Sequence, residues 1–143
     1  MQCFQCGAQL GAAQTCPNCR MNVKMYKKLI AISNYLYNLG LERAKVRDLS
    51  GAADSLKLSL QYYKANIQAR NLLGLIYYEM GETVSALSEW VISKNQDSKD
   101  NIAQQYLSEV QSNASLLNVV NQTIKKYNQA LIYCQQDSED LAV

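Results

Sequence analysis

The chain has no histidine, and only one proline, one phenylalanine and one tryptophan among its 143 residues. Without histidine it lacks the commonest general base near neutral pH and the commonest imidazole metal ligand. Long apolar runs are missing too: the longest, Leu72 to Tyr78, is seven residues, against the ~18 that a membrane span needs. Met1-Gln2-Cys3-Phe4 shows no positive region leading into an apolar stretch, so no secretory signal is expected and the cytoplasm is the expected location. There is no phosphate-cradling glycine loop and no carboxylate pair with a recognisable pocket. Asp137, Glu139 and Asp140 do cluster, but they follow a helix end, where a solvated turn accounts for them. A non-enzymatic protein is therefore expected. At 48% hydrophobic and 18% charged, the composition suits a chain that buries a core.

Charge is nearly balanced, at a net +2, but unevenly spread. Residues 1–50 hold seven basic and two acidic side chains, residues 51–100 five and six, and residues 101–143 two and four. Much of the basic excess is in Arg20, Lys24, Lys27 and Lys28. Such a cluster reads either as the solvated start of a helix or as a footprint for an anionic partner such as a nucleic acid.

Cysteine is the residue the chain concentrates. Four of five fall in the first 19 positions, as Cys3-Phe4-Gln5-Cys6 and Cys16-Pro17-Asn18-Cys19. Two Cys-x-x-Cys pairs are a strong zinc signature. In each pair a tight turn puts both sulfurs on one side of the backbone, and two facing turns complete a tetrahedral shell of thiolates at ~2.3 Å. Gly7 follows the first pair, where a positive φ helps backbone N–H groups turn toward sulfur; Arg20 holds the matching place after the second. Two disulfides would need an oxidising compartment, and a redox pair would need a βαβ context that the sequence does not show. One structural Zn2+ held by Cys3, Cys6, Cys16 and Cys19 is expected, in a small ribbon of short β-hairpins. About 20 residues bury too little to fold alone, so metal binding must supply the folding free energy. A filled four-thiolate shell leaves no open position for catalysis. Cys134, on a helical pattern with Ile124, Tyr127 and Leu131, reads as a buried inert thiol.

From residue 33 onward the chain is free of proline and repeats itself. Leu39-Gly40-Leu41 recurs as Leu73-Gly74-Leu75, Ala52 as Ala86, Leu56 as Trp90 and Ser59 as Ser93, all at one common offset. A period of about 34 residues marks a helix–turn–helix array. The small residues let two helices approach, while Leu56 and Trp90 are expected to fill the space between successive pairs. Gly81 ends one helix and Thr83 is expected to cap the next; in the earlier copy Arg47 replaces the glycine, with Asp48 or Ser50 as cap. Further on, Ile102, Tyr106 and Val110 recur every four residues. Asn113 is placed as a cap for a helix over about 114–135, carrying Leu116, Val120 and Ile124. Tyr133 and Ala142 are spaced as Tyr77 and Ala86 are, which suggests a partial third copy from about residue 123. Its partner helix has barely begun at Val143. The natural product is therefore expected to continue, or another chain to cover the face over 124–134.

At Leu73, Gly74, Tyr77, Gly81, Ala86 and Trp90 the sequence resembles the tetratricopeptide (TPR) family; Leu39, Gly40, Ala52 and Leu56 match less completely, with Arg43 at the aromatic place. The whole layout is similar to bacterial proteins that join a zinc ribbon to such repeats. The resemblance implies an all-α fold, an antiparallel helix-hairpin solenoid, behind the ribbon. Residues 1–21 form the ribbon and 22–143 the repeat domain, with repeats at about 33–66 and 67–100, an extra helical segment at 101–122 and the partial copy beyond. It further implies a groove for an extended peptide or protein partner, lined by Asn34, Tyr37, Leu41, Lys45, Gln68, Asn71, Leu75, Tyr78 and Glu79. The expected function is a scaffold or interaction module. Nucleic-acid binding through the ribbon and its basic flank is the alternative, with Phe4 the one ring there able to stack on a base.

Overall fold

The computed structural model describes residues 1–113, Ser115, Asn118, residues 121–126 and 128–130, and Ile132. Leu116, Val120, Tyr127, Leu131, Tyr133, Cys134, Asp137, Glu139, Asp140 and Ala142 lie outside the described residues. The protein is all-α: α1 (Lys24–Lys45), α2 (Leu49–Tyr62), α3 (Ile67–Glu79), α4 (Thr83–Gln96) and α5 (Ala103–Ser112) follow one another, and residues 121–126 are helical as well. No helix is long and apolar enough to cross a membrane among the described residues. The chain divides into two compact units, Met1–Ala69 and Arg70–Val143.

In the first unit, α1 runs for 22 residues and turns Ile30, Ser33, Leu36 and Gly40 inward at helical spacing. Ser33 meets Ser59 near one end of the contact, and Gly40 meets Ala52 and Leu56 near the other, so α1 and α2 are antiparallel. A Cβ added at Gly40 would stand 2.8 Å from Leu56 Cγ. Leu56 therefore sits on the glycine inside its own pair. The α1–α2 turn is a Schellman motif. Asp48 N–H donates to Arg43 O (3.0 Å) and Arg47 N–H to Ala44 O (3.0 Å), with Arg47 in the left-handed region at φ 64°. Asp48 then caps α2, its Oδ1 accepting from Gly51 N–H at 3.0 Å.

The second unit repeats the device at the matching positions. Glu82 N–H donates to Tyr77 O (2.8 Å) and Gly81 N–H to Tyr78 O (3.0 Å), with Gly81 at φ 82°. Thr83 is not the cap. It is the buried first residue of α4, Glu82 stands at the cap position, and no side chain accepts there. Trp90 lies on Gly74, whose added Cβ would come within 2.7 Å of the indole Cδ1. The ring is fixed by Nε1 donating to Asn71 O at 3.2 Å. Arg70 and Glu89 pair at 2.7 Å, both largely buried. Ala86, Trp90, Ala103 and Val110 form the core, with Tyr78, Tyr106 and Leu107 packed against it. The inward face of α5 is thus Ala103, Tyr106, Leu107 and Val110; Ile102 is 47% exposed, one position off that stripe.

Each unit also buries a polar pin. Ser59 Oγ donates to Ser33 O (2.7 Å), and Asn66 Nδ2 to Ser33 Oγ (2.9 Å), while Asn66 Oδ1 caps α3 by accepting from Ala69 N–H (3.1 Å). In the second unit Asn101 Nδ2 donates to Ser93 Oγ (3.0 Å), and Asn101 Oδ1 accepts from Ala103 N–H (3.0 Å) and Asn71 Nδ2 (2.9 Å). Ser59 and Ser93 are fully buried, and these bonds replace the water their hydroxyls give up.

Candidate metal centre

Residues 1–23 are two copies of one small turn, with Cys16 of the second in the place of Cys3 in the first. Cys3 N–H donates to Ala8 O (2.8 Å) as Cys16 N–H does to Met21 O (2.9 Å); Gly7 N–H donates to Cys3 O (2.9 Å) as Arg20 N–H does to Cys16 O (3.0 Å). Leu10 N–H to Met1 O (2.9 Å) matches Val23 N–H to Gln14 O (2.8 Å). Single antiparallel bridges, Gln2 with Gln9 and Thr15 with Asn22, close the two turns. Gly7 and Arg20 both take positive φ, 71° and 57°. In an L-residue that conformation is strained, so Arg20 adopts it because the turn demands it.

The two turns face each other and bring all four sulfurs together, every Sγ within 4.8 Å of the others. Cys3 Sγ and Cys19 Sγ are 3.7 Å apart, and Cys6 Sγ and Cys16 Sγ 3.6 Å. Four sulfurs ~2.3 Å from a central ion form a tetrahedron with edges of about 3.8 Å. The donor set therefore fits one tetrahedral metal ion, and the spacing is far beyond a disulfide bond of ~2.05 Å. Cys3 and Cys16 are buried, and Cys6 and Cys19 are exposed. The Cys6 thiol is pulled down to about 6, first by the Ala8 backbone N–H and then by the Asn18 side chain, both favouring thiolate. The Met21 N–H acts the same way on Cys19, but desolvation and the neighbouring thiols Cys6, Cys16 and Cys3 outweigh it and push that thiol up to about 12. Sulfurs this close resist carrying charge together until a cation joins them.

The head is anchored to the helices behind it. Val23, wholly buried, packs with Cys3 and Cys16 and partly buried Ala8 and Leu10, and its carbonyl accepts the first bond of α1 from Lys27 N–H at 2.9 Å. Lys27 Nζ donates to Gly11 O and, at 2.5 Å, to Ala13 O, so this lysine ties the linker between the turns to α1. Phe4 meets Tyr26 edge-on at 5.1 Å, and Tyr26 meets Tyr63 at 6.1 Å. Burial, then the hydrogen bond to Tyr63, pushes the Tyr26 hydroxyl up to about 12. Of the basic flank, Arg20, Lys24 and Lys28 remain exposed.

The residues assigned to a groove fall on α1 and α3. On α1, Asn34 and Lys45 are exposed and Tyr37 and Leu41 half-buried; Asn34 Oδ1 accepts from Asn66 Nδ2 (3.2 Å), and Lys45 pairs with Glu42 at 2.7 Å. On α3, Gln68 and Glu79 are exposed, while Asn71, Leu75 and Tyr78 are half-buried. Asn71 serves the fold through its bonds to Asn101 and Trp90. Sequence reasoning passed over Asn66 and Asn101, although an Asn followed by an apolar residue at a helix start was there to be read.

The chain matches no protein-family model, no curated protein and no solved structure.

Proposed function

We propose that this protein is a non-enzymatic interaction module. A zinc ribbon of two short β-hairpins, over residues 1–21, forms its head. TPR-like helix hairpins, over 22–143, present a groove to an extended peptide or protein. The observation that carries this reading is the recurrence of one arrangement: a Schellman turn, and a glycine under a large side chain, at Arg47 and Gly40 with Leu56, then at Gly81 and Gly74 with Trp90. Repeated hairpins of this kind suit stacking into an array whose inner helices offer side chains to a partner. Zinc is the preferred ion because an all-thiolate tetrahedron suits a soft, redox-inert cation, and a closed shell gives it a structural rather than a catalytic role.

Elemental analysis of the purified chain is expected to find one zinc, with no visible absorbance of the kind a thiolate-bound iron would give. Lys45→Ala and Gln68→Ala, both at exposed positions, are expected to weaken capture of a protein partner from native extract while leaving helical circular dichroism unchanged. Retention of every partner by both variants would reject the groove. Asn71→Ala is a poor probe, since it removes a bond that holds the fold. The nucleic-acid reading draws on exposed Arg20, Lys24 and Lys28, but the Lys27 ammonium is already engaged by Gly11 and Ala13. Salt-sensitive retardation of DNA or RNA by the whole chain would favour that reading over docking.

A further inference from the structure

The second unit holds a cavity of about 310 Å³ lined by Leu75, Tyr78, Trp90, Tyr106, Glu109, Val110 and Asn113. Its chemistry is uneven in an informative way. Three aromatic rings contribute: Tyr78 and Trp90 have centroids 6.0 Å apart at 40°, and Trp90 and Tyr106 are 5.1 Å apart at 38°. Trp90 is only 2% exposed, so it forms the floor on which the half-buried Tyr78 and Tyr106 rest, and the two tyrosines supply the accessible rings. The indole cannot swing in to fill the space, because Nε1 is bonded to Asn71 O and the ring rests on Gly74. The charged member of the lining is Glu109, an exposed carboxylate whose Oε1 accepts from the neutral amide of Gln105 at 3.0 Å. Among the described residues that line the cavity, none is basic.

Aromatic faces carry negative quadrupole density, and a carboxylate beside them adds a full negative charge, so the combination favours a weakly hydrated organic cation. An anion would be repelled, and a small metal ion would lack enough oxygen ligands. We infer that this cavity binds an alkylated ammonium group, with Tyr78 and Tyr106 beside its methyl groups, Trp90 holding both rings from beneath and Glu109 balancing its charge. The volume accommodates a group of choline size with part of its tail. The site lies within one unit and shares Leu75 and Tyr78 with the proposed groove, but Tyr106 and Glu109, on which its tests rest, lie outside that groove, so either reading can fail alone.

Trp90 is the chain's single tryptophan and packs against both tyrosines, so its emission reports on the site. Tetramethylammonium chloride is the probe, titrated into the intact metal-loaded chain at constant ionic strength, with calorimetry in parallel. A saturable emission change is expected. tert-Butanol, close in size but neutral, should bind at least about 10-fold more weakly. Glu109→Gln, at an exposed position that does not disturb the core, should weaken binding about 3- to 10-fold. Tyr106→Leu, which keeps apolar volume but removes a ring, should weaken it further, with its thermal melt confirming the fold. Choline compared with a trimethyllysine tripeptide then tells a free metabolite from a peptide side chain. No saturable response by either method, an equal response to tert-butanol, or unchanged affinity in Glu109→Gln would each overturn the inference.

Discussion

The head repeats one small turn and the helical region repeats one hairpin, yet the two regions hold their shape by different means. Behind the sulfurs the head buries Val23 with Cys3 and Cys16 and little else, whereas the second unit alone buries Trp90, Ala86, Ala103 and Val110 against partly buried tyrosines and leucines. One region brings four sulfurs to the spacing of a metal site, and the other rests on apolar burial. In both, one copy keeps glycine at a left-handed turn and the other carries arginine: Gly7 against Arg20, Gly81 against Arg47. The turn geometry therefore belongs to the surrounding hydrogen bonds, and the residue merely lowers or raises its strain.

Removing the metal tests this contrast most severely. A structural tetrathiolate site contributes on the order of 10 kcal/mol to folding. Chelation, or Cys16→Ala, is expected to abolish hydrogen-exchange protection at Cys3, Cys16 and Val23 while the amides around Trp90 keep theirs. If protection in the head survived, the claim that metal holds it would be wrong. Next in size are the glycines under the large side chains. Gly74→Ala should cost about 3 kcal/mol in denaturant unfolding, because the pinned indole cannot yield; Gly40→Ala should cost about 1 kcal/mol, because Leu56 can change rotamer. Equal losses would show that the two pairs are packed alike. Smaller still are the left-handed turns. Arg20→Gly and Arg47→Gly should each stabilise by about 1 kcal/mol, and Gly81→Arg should destabilise by a similar amount.

The least effect, and the most specific to the head, is on pH. Thiolates bind the metal and protons compete for them. Cys6, with its thiol near 6, offers no proton to displace at neutral pH but gains one as pH falls through that value. Cys19, raised to about 12, must release a proton across the whole neutral range. Apparent metal affinity should therefore decline with falling pH and decline more steeply below about pH 6. Competition with a chromophoric chelator would measure both slopes.

The cysteine spacing was enough to group four residues that the fold brings within 4.8 Å, since a Cys-x-x-Cys turn is a local structure and few arrangements of two such turns satisfy a tetrahedron. The helical period was equally plain, because apolar spacing and the glycine at a helix end are local signals. Asp48 was legible as a cap for the same reason. Errors came where a residue's place depends on its neighbour across the fold. Leu56 and Trp90 were expected between pairs; each lies on a glycine of its own pair, and Trp90 also meets Tyr106 of the next helix; Thr83 looked like a cap and is buried; Ile102 shares a four-residue spacing with Tyr106 and Val110 yet misses the inward stripe by one position.

By itself, then, the sequence determined the four-sulfur cluster, the helical character and the positions of the interhelical turns, all of which follow from interactions a few residues long. Only the tertiary structure decided that Asn71 braces Trp90 and Asn101, that Lys27 is tied to the head, and that three aromatic rings and Glu109 share one cavity. These depend on contacts between residues distant in sequence. No spacing rule encodes such contacts, because they are settled when side chains compete for the same buried space.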